Sequence, residues 1–479
     1  MSDRAFYNDP LPACPGCRQR DQQIAELKAE IVRLNDRLDR QEKEISELKA
    51  ALEEFRRAAK RQAAPFSKGA PKEKPKVPGR KSGADYGQHT RRDIPDRIDE
   101  IHAVPLPERC PFCGGSHLDP LSVQAQYQAE IPAQPIYRRF DVAVGCCRDC
   151  GRQVRGRHPL QTSDAVGAAA SQLGPRAQAA VVLLNKELGL SHGKVARFFD
   201  ALLGMELSRA GSCRIMLRSA QRLEEDYQAI VQSVQQSQVV VPDETGWRVG
   251  GHGAWLHVAV GDLAVGYLID KQRGIEAITK LLGPRFDGTL VHDGFASYDQ
   301  FTRATHQTCL GHLIRRCRQM METAKGMARR FPGQVKGLLQ RALGIRDQRD
   351  AGELSPEQAV EEADRLQREM TALLRPAKTN PDNRRLGKHV GKRDAQLFTF
   401  LRKEGVDATN HKAEQAIRPA VVNRKVWGGN RTWVGAKAQS ILMSVLGTCR
   451  KRGRNTMDYL SSILARAPVE PLLPAPPSD

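Results

Sequence analysis

Apolar positions in residues 22–57 recur in alternating steps of three and four: Ile24, Leu27, Ile31, Leu34, Leu38, Ile45, Leu48, Leu52 and Phe55, interrupted only by Gln41. This narrow two-in-seven stripe has charged flanks and no Gly or Pro. It predicts a self-associating coiled coil over a helix packed on its own domain. β-branched a positions with mostly Leu at d favour a parallel dimer. From Lys60 to Arg92 the period disappears, and ten basic residues stand against two acidic ones among Pro and Gly. That stretch reads as a disordered basic linker, a spacer able to touch phosphates without reading sequence.

Residues 172–225 carry a helical pattern. Residues 238–315 alternate in β fashion around Gly turns. Residues 316–402 return to charged helix, and 409–465 are helical apart from a Gly-rich interruption at 428–435. The expected class is α/β. The expected order is a coiled coil over 1–58, linker over 59–98, a small cysteine domain over 99–160 and a helical segment over 161–232. A core follows over 233–317, then a helical insertion over 318–403, the rest of the core over 404–466 and a disordered tail over 467–479.

A length of 479 residues suits two to four such units. Lys and Arg number 75 against 55 Asp and Glu, a formal charge of +20, which favours a polyanionic partner such as nucleic acid. There is no apolar run near membrane-spanning length and no signal-like stretch at the start. A cytoplasmic, nucleoid-associated protein without a membrane partner is therefore expected. In that reducing setting the 11 cysteines read as free thiols or metal ligands.

Cys110-Pro-Phe-Cys113 is followed, 34 residues after Cys113, by Cys147-Arg-Asp-Cys150, each pair with Gly next to it. Two residues between thiols let the backbone turn so that both sulfurs face one tetrahedral ion. Four thiolates leave no open position, so structural Zn²⁺ is expected, with Cys146 an alternative to Cys147. Cys14 and Cys17 form half a site and predict nothing specific.

LSHGKVARFFDALLGMELSRAGSCRIMLRSAQ reads as helix, turn, helix, with Ser208 a cap for the second. Its exposed face would present Arg209, Ser212, Arg214 and Arg218, either to a major groove or to solvent in a plain helical hairpin.

The run Val239–Val241 ends in Asp243, and TLVHD ends in Asp293, 50 residues later. A strand, an antiparallel pair, a short helix (IEAITKLL) and a fourth strand fill that interval. Pairing of the first and fourth would set the two acids side by side. Such carboxylates repel unless a divalent cation lies between them. A third acid is available in Glu414, near the start of a helix that Thr409 or Asn410 would cap, with Arg418 one turn on, Arg424 and Lys425 as a basic flank, and Pro419 expected to kink or divide it.

In order along the chain, PGRKSGADYGQHTRR, the paired C-x-x-C segment, DETGWRVGG, WLHVAV, RGIEAI, HDGFASYD, CLGHLIRR and NHKAEQAIRPAVVNRKVWGGNRTWVGA resemble the DDE transposases of insertion sequence family sixty-six. The resemblance implies a ribonuclease H-like core and dependence on Mg²⁺ or Mn²⁺. It implies binding to inverted-repeat ends and target DNA, and a catalytic triad of Asp243, Asp293 and Glu414. It draws in His312, Arg315 and Arg316 as supports for the site or its phosphates, and allows accessory proteins of the element as partners. Gln415 stands where the family often has Arg. The rival readings are a nuclease of the same fold and a non-catalytic, zinc-dependent DNA-binding regulator.

Overall fold

A computed structural model describes residues 15–59, 172–474 and, apart from 102, 104, 106, 110, 117–124 and 127–134, residues 96–161. The expected linker over 60–92, Cys14, Cys110 and the last five residues lie outside the described residues. The chain divides into two compact units, Met1–Tyr127 and Gln128–Asp479.

In the first unit, α1 runs Pro15–Ala59 without a break. Its described side chains, 22–48, are all exposed, including the seam residues Ile24, Leu27, Ile31, Leu34, Leu38, Ile45 and Leu48. Side chains of Leu52 and Phe55 fall outside the described set.

The second unit begins with a hairpin of β1 (Val144–Cys146) and β2 (Gln153–Arg155). Four helices follow: α2 (Pro175–Lys186), α3 (His192–Leu203), α4 (Arg209–Arg222) and α5 (Glu224–Gln235). Ser208 caps α4 as expected, accepting from the Gly211 amide at 2.9 Å, while Gly204 ends α3 in the left-handed region.

The sheet comprises β3 (Val239–Val249), β4 (His252–Val260), β5 (Val265–Asp270), β6 (Thr289–His292) and β7 (Thr305–Thr308), with α6 (Ile275–Leu282) between β5 and β6. Its order is β5-β4-β3-β6-β7. The first three are antiparallel, whereas β6 and β7 run parallel to β3. The sheet's first and fourth strands are thus neighbours.

After β7 come α7 (Leu310–Thr323), α8 (Arg330–Asp350), α9 (Pro356–Leu374), α10 (Pro381–Gly391) and α11 (Thr399–Arg402), the expected helical insertion. The chain then returns with α12 (His411–Trp427), α13 (Trp433–Lys451) and α14 (Thr456–Ala465). Asn410 occupies the cap position of α12, but its side chain makes no capping bond, and both of its polar atoms are buried without partners. Pro419 sits inside α12 without dividing it, so the expected division is corrected: packing of Ala413, Ile417 and Ala420 into the core holds the turns on either side.

The two faces of the sheet bury separate apolar clusters. Val241, Trp247, Val258 and Val291 pack with the insertion and α12; Val240, Ala259 and Leu290 pack with α2, α4–α6, α13 and α14. Helix α13 is buried nearly all round from Ala436 to Cys449 and closes the β5 edge. The amides of Val265, Tyr267 and Ile269 donate to the hydroxyls of Thr448, Ser444 and Ser440 at 3.0, 2.8 and 2.9 Å. Two strand residues advance about 6.7 Å and four helical ones about 6 Å, so every fourth hydroxyl meets every second amide. No helix of the described residues is long and apolar enough to cross a membrane.

Candidate active site

Val239 stands opposite Thr289 and Val240 opposite Leu290. Asp243 is four residues beyond the first partner and Asp293 four beyond the second, so equal steps along parallel strands bring the acids to one level. The short β6 ends at His292, leaving Asp293 at the start of a loop. There its Oδ1 accepts from the Phe295 amide at 2.8 Å. Asp243 is pushed up to about 7, first by burial and then by the negative charges of Glu244, Asp293 and Glu414, against the favourable bond from the Glu244 amide. The three expected acids therefore share one electrostatic neighbourhood.

Alternation along β3 sends Glu244 to the opposite face from Asp243. Its side chain is only 2% exposed. Arg273 donates to Oε1 from Nε at 3.0 Å and Nη2 at 2.8 Å, and the Tyr298 hydroxyl donates to Oε2 at 2.9 Å. Burial raises Glu244 above the ordinary range while these donors oppose it. The Arg273 guanidinium also lies over Trp255 and Phe295, 4.6 and 4.1 Å from the ring centres. Glu244 is thus fully engaged as a strut, and Asp243 is the free carboxylate of the pair.

Glu414 lies in the first turn of α12, and its ion-pair partner is His312, Nε2 to Oε1 at 3.5 Å. His312 Nδ1 is 3.3 Å from Cys309 Sγ. That bond is the largest influence raising His312, with Glu414 and Asp293 adding to it. Burial works to raise Cys309, but hydrogen bonds from His312 and from the Asn410 and His312 backbone bring it below the usual thiol range. Beside Asp293, burial pushes His292 down to about 3. As a neutral ring it accepts from the Gly294 amide at Nδ1 (3.1 Å) and donates from Nε2 to His306 (3.1 Å), whose own Nε2 then donates to the Phe301 carbonyl at 3.0 Å.

Three hard carboxylates in a shared field, one of them raised by burial and further by the charges of its neighbours, suit a divalent ion that prefers oxygen donors. Among the described residues, however, no three His, Cys, Asp or Glu side chains converge closely enough to hold a metal as they stand.

The other expected residues divide. Arg209, Arg214, Arg218, Arg315, Arg418 and Lys425 are exposed and Arg316 is partly so, whereas Ser212 is buried and bonded to His192 Nδ1 at 2.9 Å. Its place on the exposed face of α4 is corrected, since helical phase turns it inward with Ile215 and Ser219. Arg424 is half-buried against β3, with Nη1 3.3 Å from the Thr245 hydroxyl and Nε enclosed without a partner. In the cysteine segment, Cys147 and Cys150 share the β1–β2 turn. The Gly151 amide donates to the Cys147 carbonyl at 2.9 Å, and the Cys147 thiol is lowered chiefly by the Cys150 amide. Cys113, in the other unit, is exposed and free.

Sequence reading missed Arg273, Tyr298 and Arg393. The last of these reaches the Gly294 carbonyl from 99 residues away. Arg273 stood within RGIEAI, but nothing local marked its partner as Glu244.

A family model described as Transposase IS66 family matches residues 170–438. No curated protein matches the chain.

Proposed function

Because this chain belongs to the IS66 family of transposases, we propose that it cuts DNA at the inverted-repeat ends of an insertion sequence and joins those ends to target DNA. The observation that carries the reading is the level pairing of Asp243 with Asp293, with Glu414 in the same field. A five-strand order with three antiparallel strands and two parallel ones supports a ribonuclease H-like core.

Asp243, Asp293 and Glu414 are the residues to hold Mg²⁺ or Mn²⁺. Two such ions, when bound, supply the positive charge that lowers the barrier to attack on a phosphodiester. Water opens the phosphodiester at the element end, leaving a 3′-hydroxyl; that hydroxyl attacks target DNA, exchanging one phosphodiester for another without external energy. His312 orients Glu414, and Glu244 with Arg273 fixes β3 beneath Asp243. Exposed Arg315, Arg418 and Lys425 flank this region and suit phosphate contact. Arg209, Arg214 and Arg218 form a basic face on α4 suited to a DNA groove. The Cys147–Cys150 turn suits one half of the four-thiolate zinc knuckle expected from the sequence. The exposed seam of α1 supports a homodimer or higher oligomer that holds two ends together.

The test incubates the full chain with donor ends, plasmid target and Mg²⁺. Joined products are expected from wild type. Asp243→Ala, Asp293→Ala and Glu414→Ala should each bind ends without joining them. Cleavage without joining favours the nuclease, and binding alone by wild type favours a regulator.

A further inference from the structure

The loop from Asp293 to Phe301 is gripped from two sides. From β3, Glu244 accepts from Tyr298. From the insertion, Arg393, just after α10, donates from Nη2 to the Gly294 carbonyl at 2.5 Å and to Asp299 Oδ2 at 3.3 Å, and Lys392 reaches the same Oδ2 at 2.8 Å. The Arg393 side chain is 5% exposed, and its Nε is buried without a partner. Gly294 has φ +89°, and a Cβ there would lie 3.0 Å from that Nε. The glycine therefore serves both the left-handed backbone and the close approach of the guanidinium.

Burying a guanidinium with one donor unpaired costs stability. Asp299 and Lys392 balance charge at the surface of the loop and need no buried arginine for that. What Arg393 adds is a directed bond to the carbonyl immediately after Asp293. We propose that Arg393 is a positioning residue through which the helical insertion sets the Asp293–Gly294 backbone, and with it the readiness of the carboxylate site to take a divalent ion. This inference rests on the reading of Asp293 as a metal-holding acid.

The experiment compares the full-length wild type with Arg393→Lys, Arg393→Gln and Asp299→Asn. It reads Mn²⁺ binding without DNA by electron paramagnetic resonance, the Mg²⁺ concentration for half-maximal end cleavage, end binding, and thermal unfolding. Lysine keeps the charge but lacks the planar guanidinium that aims Nη2 at the Gly294 carbonyl. Arg393→Lys should weaken Mn²⁺ binding and raise the Mg²⁺ requirement about tenfold, the scale for loss of a group that orients a ligand, with end binding unchanged. Asp299→Asn, which retains the carbonyl contact, should shift both by less. If Arg393→Gln fails to fold, these two variants carry the test. Metal affinity within twofold of wild type overturns the inference, whether or not stability falls, because a merely structural arginine would behave so. A wild type that neither binds Mn²⁺ nor cleaves ends overturns the underlying reading as well, and is told apart by that result.

Discussion

Asp243, in β3, and Asp293, just past the end of the neighbouring parallel β6, each lie four residues beyond the paired positions Val239 and Thr289. Burial penalises the charge on Asp243, and without a cation the opposing charge of Asp293 adds to that penalty. Asp243→Asn keeps the shape and removes one charge. In chelator it should raise stability by on the order of 2 kcal/mol, while joining activity in Mg²⁺ disappears. Chemical denaturation paired with the joining assay measures both, and a destabilised variant in chelator contradicts the electrostatic argument.

The hydroxyl ladder of α13 gives a second prediction. Ser444→Ala leaves the Tyr267 amide buried without an acceptor, at a cost of about 1–3 kcal/mol. Ser440→Ala should act similarly on Ile269. Urea unfolding reads the loss; variants as stable as wild type would mean that water replaces the hydroxyl.

Lys186 is enclosed, donating to Gln439 below the ring of Trp427. Burial pushes it from 10.5 down to about 8. Between those values the unfolded chain holds the proton more tightly than the folded one, so stability rises with pH. The penalty is fully present below about pH 8 and amounts to about 3 kcal/mol. Lys186→Met should be the more stable protein at pH 7, with the advantage shrinking toward pH 10.5. Parallel stability curves for the two proteins across that window would refute the assignment.

Ile31 and Leu38 lie in the exposed seam of α1. Replacing both by Glu puts like charges into any paired helix. Analytical ultracentrifugation should show a fall in oligomeric order, with the melting of the second unit unchanged. An unaltered sedimentation mass would remove the coiled coil as the assembly element.

Metal analysis tests the knuckle. One zinc per chain is expected, lost in Cys150→Ser. If Cys147→Ser keeps zinc and Cys146→Ser loses it, the spare thiol is the ligand.

The strands that carry Asp243 and lead to Asp293 were legible as local patterns, an apolar run followed by a carboxylate, but β3 runs on past Asp243 to Val249 and pairs with β4 along that length, so the expected strand end at Asp243 is corrected. The cap at Ser208 was equally local. Glu414 was legible only as an acid near the start of a helix; nothing local tied it to the two aspartates, and the resemblance supplied that link. Arg424 was expected at phosphate, yet the phase of α12 turns it toward Thr245. Arg393 on Gly294 and the α13 hydroxyls on β5 join residues about 100 to 180 apart in sequence. Such contacts leave no periodic trace, because each partner obeys the pattern of its own element.

Helix α13 also bears on assembly. It covers one margin of the sheet, and at the other β7 is engaged by the 396–400 segment. There Gln307 meets the Leu397 carbonyl and the Phe400 amide, and Thr399 meets the carbonyl of His306. Neither border offers a run of open backbone to a second copy. A second copy would find no strand to extend at either border, so contacts between copies would fall to side chains or to α1.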